Sequence, residues 1–231
     1  MKARPAKVKS SSSAGLQRRL LIVDDHPIFR QGIAMLLRHE PDLVICGEAE
    51  TAAQALGMIE TLDPDLVLAD ITLKDVNGIE LVKSLRALRP GLPVLVLSMH
   101  EESLYAERAL RAGARGYVMK QSSPDQVVAA IRQVLRGELY LSPSANLRLL
   151  NTFFTGKNHV VEHSVEILSD RELEIFELLG KGHGTSMIAH ELGVSVKTIE
   201  AHRAHIKTKL SLSTAPELMR AAVEWVTRAN G

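Results

Sequence analysis

Short apolar runs alternate with amphipathic stretches along residues 20–137. Five runs rich in Leu, Ile and Val lie at about 20–24, 43–48, 66–70, 93–98 and 116–119. Their length and lack of polar alternation predict strands buried on both faces of a parallel sheet. Between these runs, and after the last one, apolar residues recur every three or four positions, which predicts helices. Five strand–helix units in succession predict an α/β doubly wound, five-stranded parallel sheet of order 2-1-3-4-5.

Four of the apolar runs stop at polar residues that can carry chemistry. Asp24 and Asp25 follow the first run, Asp70 the third, Ser98 the fourth and Lys120 the fifth. Because right-handed crossovers bring the carboxyl ends of parallel strands to one edge of the sheet, these side chains are expected to converge. A lone aspartate at such a position is more often a helix cap, but four independent strand ends favour a site. Three carboxylates with one lysine and one hydroxyl suit a divalent metal and a phosphoryl group, and one carboxylate can act as a nucleophile.

The pattern changes after residue 137. Residues 138–165 mix turn-forming residues with apolar pairs, which predicts a linker containing one short helix. Residues 166–231 are predicted to be all-helical, with a capping box that starts at Ser169. Two further helices meet at Gly193, and Ser195 is the expected N-cap of the second one. A short glycine-containing turn between two helices is typical of a helix-turn-helix.

Composition excludes several other classes of protein. The chain has 28 basic and 27 acidic side chains, so nucleic-acid binding would need a local basic patch. Aromatic residues make up only 3%, which disfavours base-stacking platforms for single strands. The single cysteine, Cys46, excludes an internal disulfide and fits a cytoplasmic protein. Residues 1–19 are basic and predict a disordered tail, and no apolar stretch is long enough to predict a membrane span.

Several motifs together resemble those of a known family. They are LLIVDDHPIFRQGI, LVLADITLKDVNGIEL, VLVLSMH, RAGARGYVMK, LSDRELEIFELLGKG and VSVKTIEAHRAHIKTKL. The chain resembles two-domain bacterial response regulators of the NarL/FixJ family. The resemblance implies a flavodoxin-like receiver domain at 20–137 and a LuxR-type helix-turn-helix DNA-binding domain at 166–231. It also implies a sensor histidine kinase and double-stranded DNA as partners, a homodimer, and RNA polymerase as a further candidate partner.

The resemblance assigns roles to the residues at the strand ends. Asp70 would accept a phosphoryl group, so the protein would be a regulator and not an enzyme. Asp24 and Asp25 would hold Mg²⁺ together with Asp70 and the backbone carbonyl of Thr72. Lys120 would pair with the phosphoryl oxygens.

Further roles concern the response to phosphorylation. Ser98 would move to hydrogen-bond the phosphoryl group, and Tyr117 would change rotamer with it, unless Tyr117 is simply a half-buried aromatic at the sheet edge. Thr72 and His100 occupy positions that overhang the phosphoryl group, and our hypothesis is that they set how readily water reaches it. A solvent-facing loop position is the plain alternative for His100. Lys74 stands where the family often has proline, which leaves that loop less rigid.

The second helix of the predicted helix-turn-helix concentrates positive charge in a domain that is not basic as a whole. This distribution suits contacts with DNA phosphates in the major groove. By resemblance, Glu200, Ala201 and Ala204 would face base edges, and a glutamate there can accept from cytosine N4. The residues nearer the DNA backbone would be Lys197, Thr198, His202 and Lys209.

Other interpretations stay open at this point. The apolar stripe Leu218, Ala221, Ala222 and Trp225 on the last predicted helix fits either a dimer interface or closure of the domain core. The same fold could serve as a phosphorylation-independent DNA binder. An aspartyl phosphatase of the haloacid dehalogenase type is a more distant rival, because that family places a second acid where Thr72 stands.

Overall fold

The computed structural model describes residues 17–148, 165 and 167–229. Most of the predicted basic tail, residues 1–16, lies outside the described residues. The same holds for most of the second half of the predicted linker, including the apolar pairs at 149–150 and 153–154. Within the described part of the chain, no helix is both long enough and apolar enough to cross a membrane.

Five parallel strands form one sheet in the order β2-β1-β3-β4-β5, which confirms the predicted order. Their bounds are β1 Arg18–Val23, β2 Leu43–Ala49, β3 Leu66–Ala69, β4 Val94–Ser98 and β5 Gly116–Met119. Strand β1 starts two residues before the expected position and takes Arg18 and Arg19 from the predicted tail. Asp65 explains the difference, because its carboxylate accepts a hydrogen bond from the Arg19 backbone and forms an ion pair with Arg18.

Helices cover both faces of the sheet. Their bounds are α1 Pro27–Leu37, α2 Ala52–Leu62, α3 Gly78–Leu88, α4 Glu102–Ala112 and α5 Pro124–Leu135. Successive side chains of β1 point to opposite faces of the sheet. Leu20 and Ile22 pack toward α1 and α5, whereas Leu21 and Val23 join the core on the face covered by α2, α3 and α4. Buried apolar residues of the C-terminal helices belong to the same core as Leu21 and Val23. The two predicted domains are therefore packed against each other, and the side-chain bonds between them come from the loops after β3 and β4 and from α3 and α4.

Four helices form the C-terminal domain in the described residues. Their bounds are α6 Asp170–Gly180, α7 Thr185–Glu191, α8 Val196–Lys209 and α9 Ala215–Ala229. The predicted capping box of α6 is present, with reciprocal side-chain to backbone bonds between Ser169 and Glu172. Ser195 caps α8 as predicted. Gly193 in the α7–α8 turn has φ +64°, a left-handed conformation that glycine adopts without strain.

The apolar stripe on α9 faces the interior of its own domain. Leu218 and Ala222 are buried, and the Trp225 ring lies 5.6 Å from the Phe176 ring of α6. Leu218 and Ala222 therefore close the domain core, whereas Ala221 and Trp225 are half-buried. The dimer interface stays a prediction.

The start of the predicted linker is attached to the receiver domain. Tyr140 pairs with the edge of the sheet beside β5, where its carbonyl accepts from the Tyr117 backbone and its amide donates to Arg115. Residues 143–148 are helical, consistent with the short helix predicted in the linker. This attachment covers β5 on the side away from β4.

Candidate functional site

The acidic residues that follow β1 and β3 meet at the carboxyl edge of the sheet. Asp24, Asp25 and Asp70 are all buried, and with His26 they offer ligand atoms within 4.8 Å of one another. The Lys120 ammonium lies 2.6 Å from Asp24 Oδ2 and 2.7 Å from Asp70 Oδ2. The predicted convergence of strand ends is therefore observed, and His26 is a neighbour that the sequence analysis did not include.

The electrostatics of this cluster favour a bound cation. Burial raises the pKa of Asp70 to about 6; the Lys120 charge opposes that rise and the Asp24 charge adds to it. Asp24 Oδ2 contacts the Lys120 ammonium at 2.6 Å, and Asp25 Oδ1 contacts the His26 imidazole at 2.7 Å. Three buried carboxylates thus share one lysine and one exposed histidine, and hard divalent cations such as Mg²⁺ bind this type of ligand. The residues present therefore fit Mg²⁺.

Arg30 of α1 holds the backbone of the acidic cluster in place. Its guanidinium is buried and donates to the backbone carbonyl of Asp24 at 2.6 Å. The same side chain pairs with Glu48 and Glu50 at the end of β2. This bridge holds the β1 end against the β2 end, so the direction of the Asp24 side chain is fixed by the scaffold.

The loop after β3 needs glycine at position 78. A Cβ atom there would lie 1.9 Å from the backbone oxygen of Asp70 and 2.8 Å from the Ile71 Cα. The Gly78 amide donates to the Ile71 carbonyl at 2.6 Å. The helix α3 thus starts directly against the backbone of Asp70.

Ser98 and Tyr117 are joined through the backbone of His100. The Ser98 hydroxyl accepts a hydrogen bond from the His100 amide at 3.2 Å. The Tyr117 hydroxyl donates to the His100 carbonyl at 2.8 Å. Tyr117 is fully buried, so it is not the half-buried edge aromatic that was its plain alternative.

His100 is buried at 6% exposure, so the plain alternative, a solvent-facing loop position, is excluded. Its Nε2 lies 2.9 Å from Thr72 Oγ1, and its Nδ1 lies 2.7 Å from Glu177 Oε2. Burial disfavours the imidazolium, but hydrogen bonds and charges from Glu174 and Glu177 outweigh it and raise the pKa of His100 to about 9. His100 is therefore a cation held between the two domains at neutral pH.

The partners of His100 belong to a contact that the sequence analysis missed. Thr72 and Asn77 donate to the two carboxylate oxygens of Glu174, at 2.8 Å and 3.1 Å. Asp170 pairs with Lys83 and Arg108 of the receiver domain. The signal in the sequence is that Glu174 and Glu177 lie three residues apart, where they interrupt the apolar stretch 173–179 on neighbouring positions of one helix face.

Helix α8 presents most of the predicted DNA-contacting residues to solvent. Glu200, Ala201 and Ala204 are exposed, as are Lys197 and Thr198. His202 is half-buried. The Lys209 ammonium lies 2.6 Å from Glu172 of α6, so this lysine would have to leave an ion pair to reach a phosphate.

Comparison with known proteins agrees with this arrangement. Residues 20–132 match the model of the response regulator receiver domain, and residues 166–222 match that of the bacterial regulatory proteins of the luxR family. The oxygen regulatory protein NreC of Staphylococcus aureus is 35% identical over 210 residues, which cover 89% of this chain and 97% of NreC. The chain belongs to the NarL/FixJ family of response regulators. Members of this family are DNA-binding transcription regulators controlled by phosphorylation.

Solved structures of other response regulators are also similar. A LuxR-family response regulator from Aurantimonas is 34% identical with a TM-score of 0.56, covering 60% of this chain and 99% of that one. RcsB from Salmonella enterica serovar Typhimurium, bound to the promoter P1flhDC in the presence of the phosphomimetic BeF₃⁻, is 26% identical with a TM-score of 0.60. That match covers 89% of this chain and 98% of RcsB.

Proposed function

We propose that this response regulator is phosphorylated on Asp70 by a sensor histidine kinase and then binds double-stranded DNA as a homodimer to control transcription. The observation that carries the assignment is the position of Asp70, which is buried at the end of β3, where the Lys120 ammonium contacts both its carboxylate and that of Asp24. Asp25 and Ser98 complete the set at neighbouring strand ends.

The chemistry at Asp70 is phosphoryl transfer to a carboxylate. One carboxylate oxygen attacks the phosphorus of the phosphohistidine, the P–N bond breaks, and the imidazole leaves with the electron pair and gains a proton. Lys120 is close enough to neutralise charge on the transferred group. The carboxylate form is required for attack, and burial works against it by raising the pKa of Asp70. The Lys120 charge lowers that pKa and so favours the reactive carboxylate.

Mg²⁺ would be held by Asp24, Asp25, Asp70 and the backbone carbonyl of Thr72. When bound, it supplies positive charge for the phosphoryl oxygens. Lys120 already balances part of the charge of the acids, and Arg30 fixes the Asp24 backbone.

Ser98 and Tyr117 would then change position in response to the phosphoryl group. In the present structure the Ser98 hydroxyl is engaged by the His100 amide. Its movement toward the phosphoryl group would break that bond and loosen the loop whose carbonyl holds Tyr117. The hypothesis that Thr72 and His100 tune dephosphorylation stays a prediction.

The proposed output is sequence-specific DNA binding by α8. Its exposed face carries Glu200, Ala201 and Ala204 for base edges, with basic residues around them. The proposed location is the cytoplasm, because DNA is the proposed target, and RNA polymerase is a further proposed partner. RcsB bound to promoter DNA with BeF₃⁻ supports this output.

The test is phosphorylation by acetyl phosphate with Mg²⁺, followed by binding to genomic DNA fragments. We expect an acyl phosphate that is absent in Asp70→Ala and retained in Asp125→Asn, an exposed aspartate at the start of α5. We also expect tighter DNA binding after phosphorylation. Equal DNA binding with and without the phosphoryl group would favour the phosphorylation-independent regulator, and turnover of phosphate esters would favour the phosphatase.

A further inference from the structure

Three potential metal ligands meet where α6 packs against α8, in the DNA-binding domain and apart from the acidic cluster at Asp70. Glu172 lies in the first turn of α6, and His202 and His205 lie on α8. One ligand atom from each of the three lies within 4.8 Å of the other two. Residues three apart on a helix are neighbours on its surface, so both imidazoles are on one face of α8. Helix packing therefore places one carboxylate and two imidazoles around a common point.

His202 has a ring nitrogen that is not satisfied within the domain. Its Nδ1 is buried and has no hydrogen-bond partner among the described residues. A buried polar atom in this condition is costly, and imidazole is the commonest protein ligand for transition metals. The His205 ring is exposed, and its centroid lies 6.5 Å from that of His202. His205 can therefore rotate toward an ion that His202 and Glu172 hold.

Glu172 is held in place by the cap of α6. Its Oε2 accepts hydrogen bonds from the Ser169 amide at 2.8 Å and from the Lys209 ammonium at 2.6 Å. Both contacts use Oε2, so neither of them engages Oε1. Glu172 is only 4% exposed, which leaves its side chain little freedom to turn away. A carboxylate that is already ordered loses less entropy when it binds an ion than a mobile one does.

The ligand set selects among metal ions. Two imidazoles and one carboxylate are typical of Zn²⁺ and related transition metals, whereas Mg²⁺ prefers oxygen ligands. Bonds of about 2.1 Å to a tetrahedral ion place the ligand atoms about 3.4 Å apart. The separations here are at most 4.8 Å, so a closure of about 1.4 Å or less is enough, and the exposed His205 side chain can supply it.

We propose that Glu172, His202 and His205 form a binding site for a divalent transition-metal ion of the Zn²⁺ type, which links α6 to the helix that carries the predicted DNA contacts. The site belongs to the DNA-binding domain and does not depend on phosphorylation of Asp70. His202 is also one of the residues predicted to lie near the DNA backbone. Metal binding and DNA binding would therefore share a side chain.

Lys209 is the competitor for this site. Its ammonium contacts the Glu172 carboxylate, and a second cation at the same carboxylate would repel it. Binding of the metal ion therefore weakens the ion pair between Lys209 and Glu172. Lys209 is predicted to lie near the DNA backbone as well, so the ion would release a lysine that this pair otherwise holds.

Calorimetric titration of the full chain with Zn²⁺ tests the site. The buffer contains excess Mg²⁺, which competes for the acidic cluster at Asp70 equally in every variant. His205→Asn removes one exposed ligand, and His190→Asn, an exposed histidine in the last turn of α7, is the matched control. The wild type and the control should bind one Zn²⁺ more than His205→Asn does, or bind it at least about tenfold more tightly.

Co²⁺ provides a second measurement, because its visible absorption reports the coordination geometry of the ion. The wild type should show a tetrahedral Co²⁺ band that Zn²⁺ abolishes and that is absent in His205→Asn and in His202→Gln. Circular dichroism of the metal-free variants checks that they are folded. Equal Zn²⁺ binding by the wild type and His205→Asn would overturn the site. A Co²⁺ spectrum that is the same in the wild type and both variants would overturn it too.

Removal of the competing cation gives a test in the opposite direction, which a misfolded variant could not imitate. Lys209→Gln removes the ammonium from Glu172, whereas Arg220→Gln removes an exposed cation of α9. Lys209→Gln should bind Zn²⁺ about fivefold more tightly than the wild type, the effect of one charge about 4 Å away in water, and Arg220→Gln should match the wild type. Equal or weaker binding by Lys209→Gln would show that the ion is not beside Glu172 and would overturn the site.

Discussion

Replacing Gly78 by alanine tests how closely α3 is built against the phosphoacceptor strand. The new Cβ would lie 1.9 Å from the Asp70 oxygen, whereas ordinary contacts begin at 3.4 Å. All three of its nearest atoms belong to backbone, two to Asp70 and one to Ile71, so no flexible side chain can move away. Relief requires a backbone shift of about 1 Å or more, which costs about 3 kcal/mol by comparison with overpacked cores.

The matched control is the same substitution at Gly57. This glycine is exposed within α2, and an added Cβ meets nothing within 4 Å. Because alanine is the better helix former, Gly57→Ala should stabilise the protein by about 0.5–1 kcal/mol. The two variants should therefore change stability in opposite directions.

Urea unfolding followed by circular dichroism measures both changes. Gly78→Ala should lower the midpoint and should also slow phosphorylation by acetyl phosphate, because the Asp70 backbone moves with the loop. A Gly78→Ala protein as stable as the wild type, or a Gly57→Ala protein destabilised as much, would refute this account of the loop.

Three further predictions address other parts of the molecule. Lys120→Met should destabilise the receiver domain by about 3 kcal/mol in Mg²⁺-free buffer, because it leaves two buried carboxylates unpaired. Unfolding titrations should show that Mg²⁺ raises the stability of this variant more than it raises that of the wild type. Ser169→Ala should cost about 1 kcal/mol through loss of the α6 capping box, measured by thermal unfolding. Burial lowers the pKa of His202; the Glu172 charge opposes this shift, and the Arg171 charge adds to it. The native state thus protonates His202 less readily than the unfolded chain does, so the free energy of unfolding should fall as the pH drops below about 6.5. An NMR titration of His202 with a midpoint at or above 6.5 would contradict this prediction.

Much of the receiver domain could be predicted because its signals are local. Each strand is a continuous apolar run, and each polar residue that matters follows its run directly, as Asp70 follows β3. Parallel topology then brings these ends together without any knowledge of side-chain packing. The capping boxes at Ser169 and Thr214 mark helix starts for the same reason, since the bonds join residues three apart.

The sequence could not decide the environment of residues that depend on a distant partner. His100 follows a strand and precedes a helix, so an exposed loop position stayed open as an alternative, yet His100 is buried against Thr72 and Glu177. Arg19 looked like part of a basic tail until Asp65 and the Leu62 carbonyl fixed it in the sheet. The stripe at Leu218 and Ala222 fitted two surfaces, and only packing against α6 decided between them.

The amino-acid sequence by itself determined the order of the strands, the identity of the acidic cluster and the helix-turn-helix, because periodicity, capping and strand-end chemistry act over a few residues. The contact of Glu174 with Thr72 joins residues 102 apart in the chain, and that of Glu177 with His100 joins residues 77 apart. Nothing local specifies which face of α6 meets which loop of the receiver domain. Only the tertiary structure decided that two carboxylates of the DNA-binding domain are buried beside the phosphoacceptor, because their burial is tolerated only when the donors of both domains are present together.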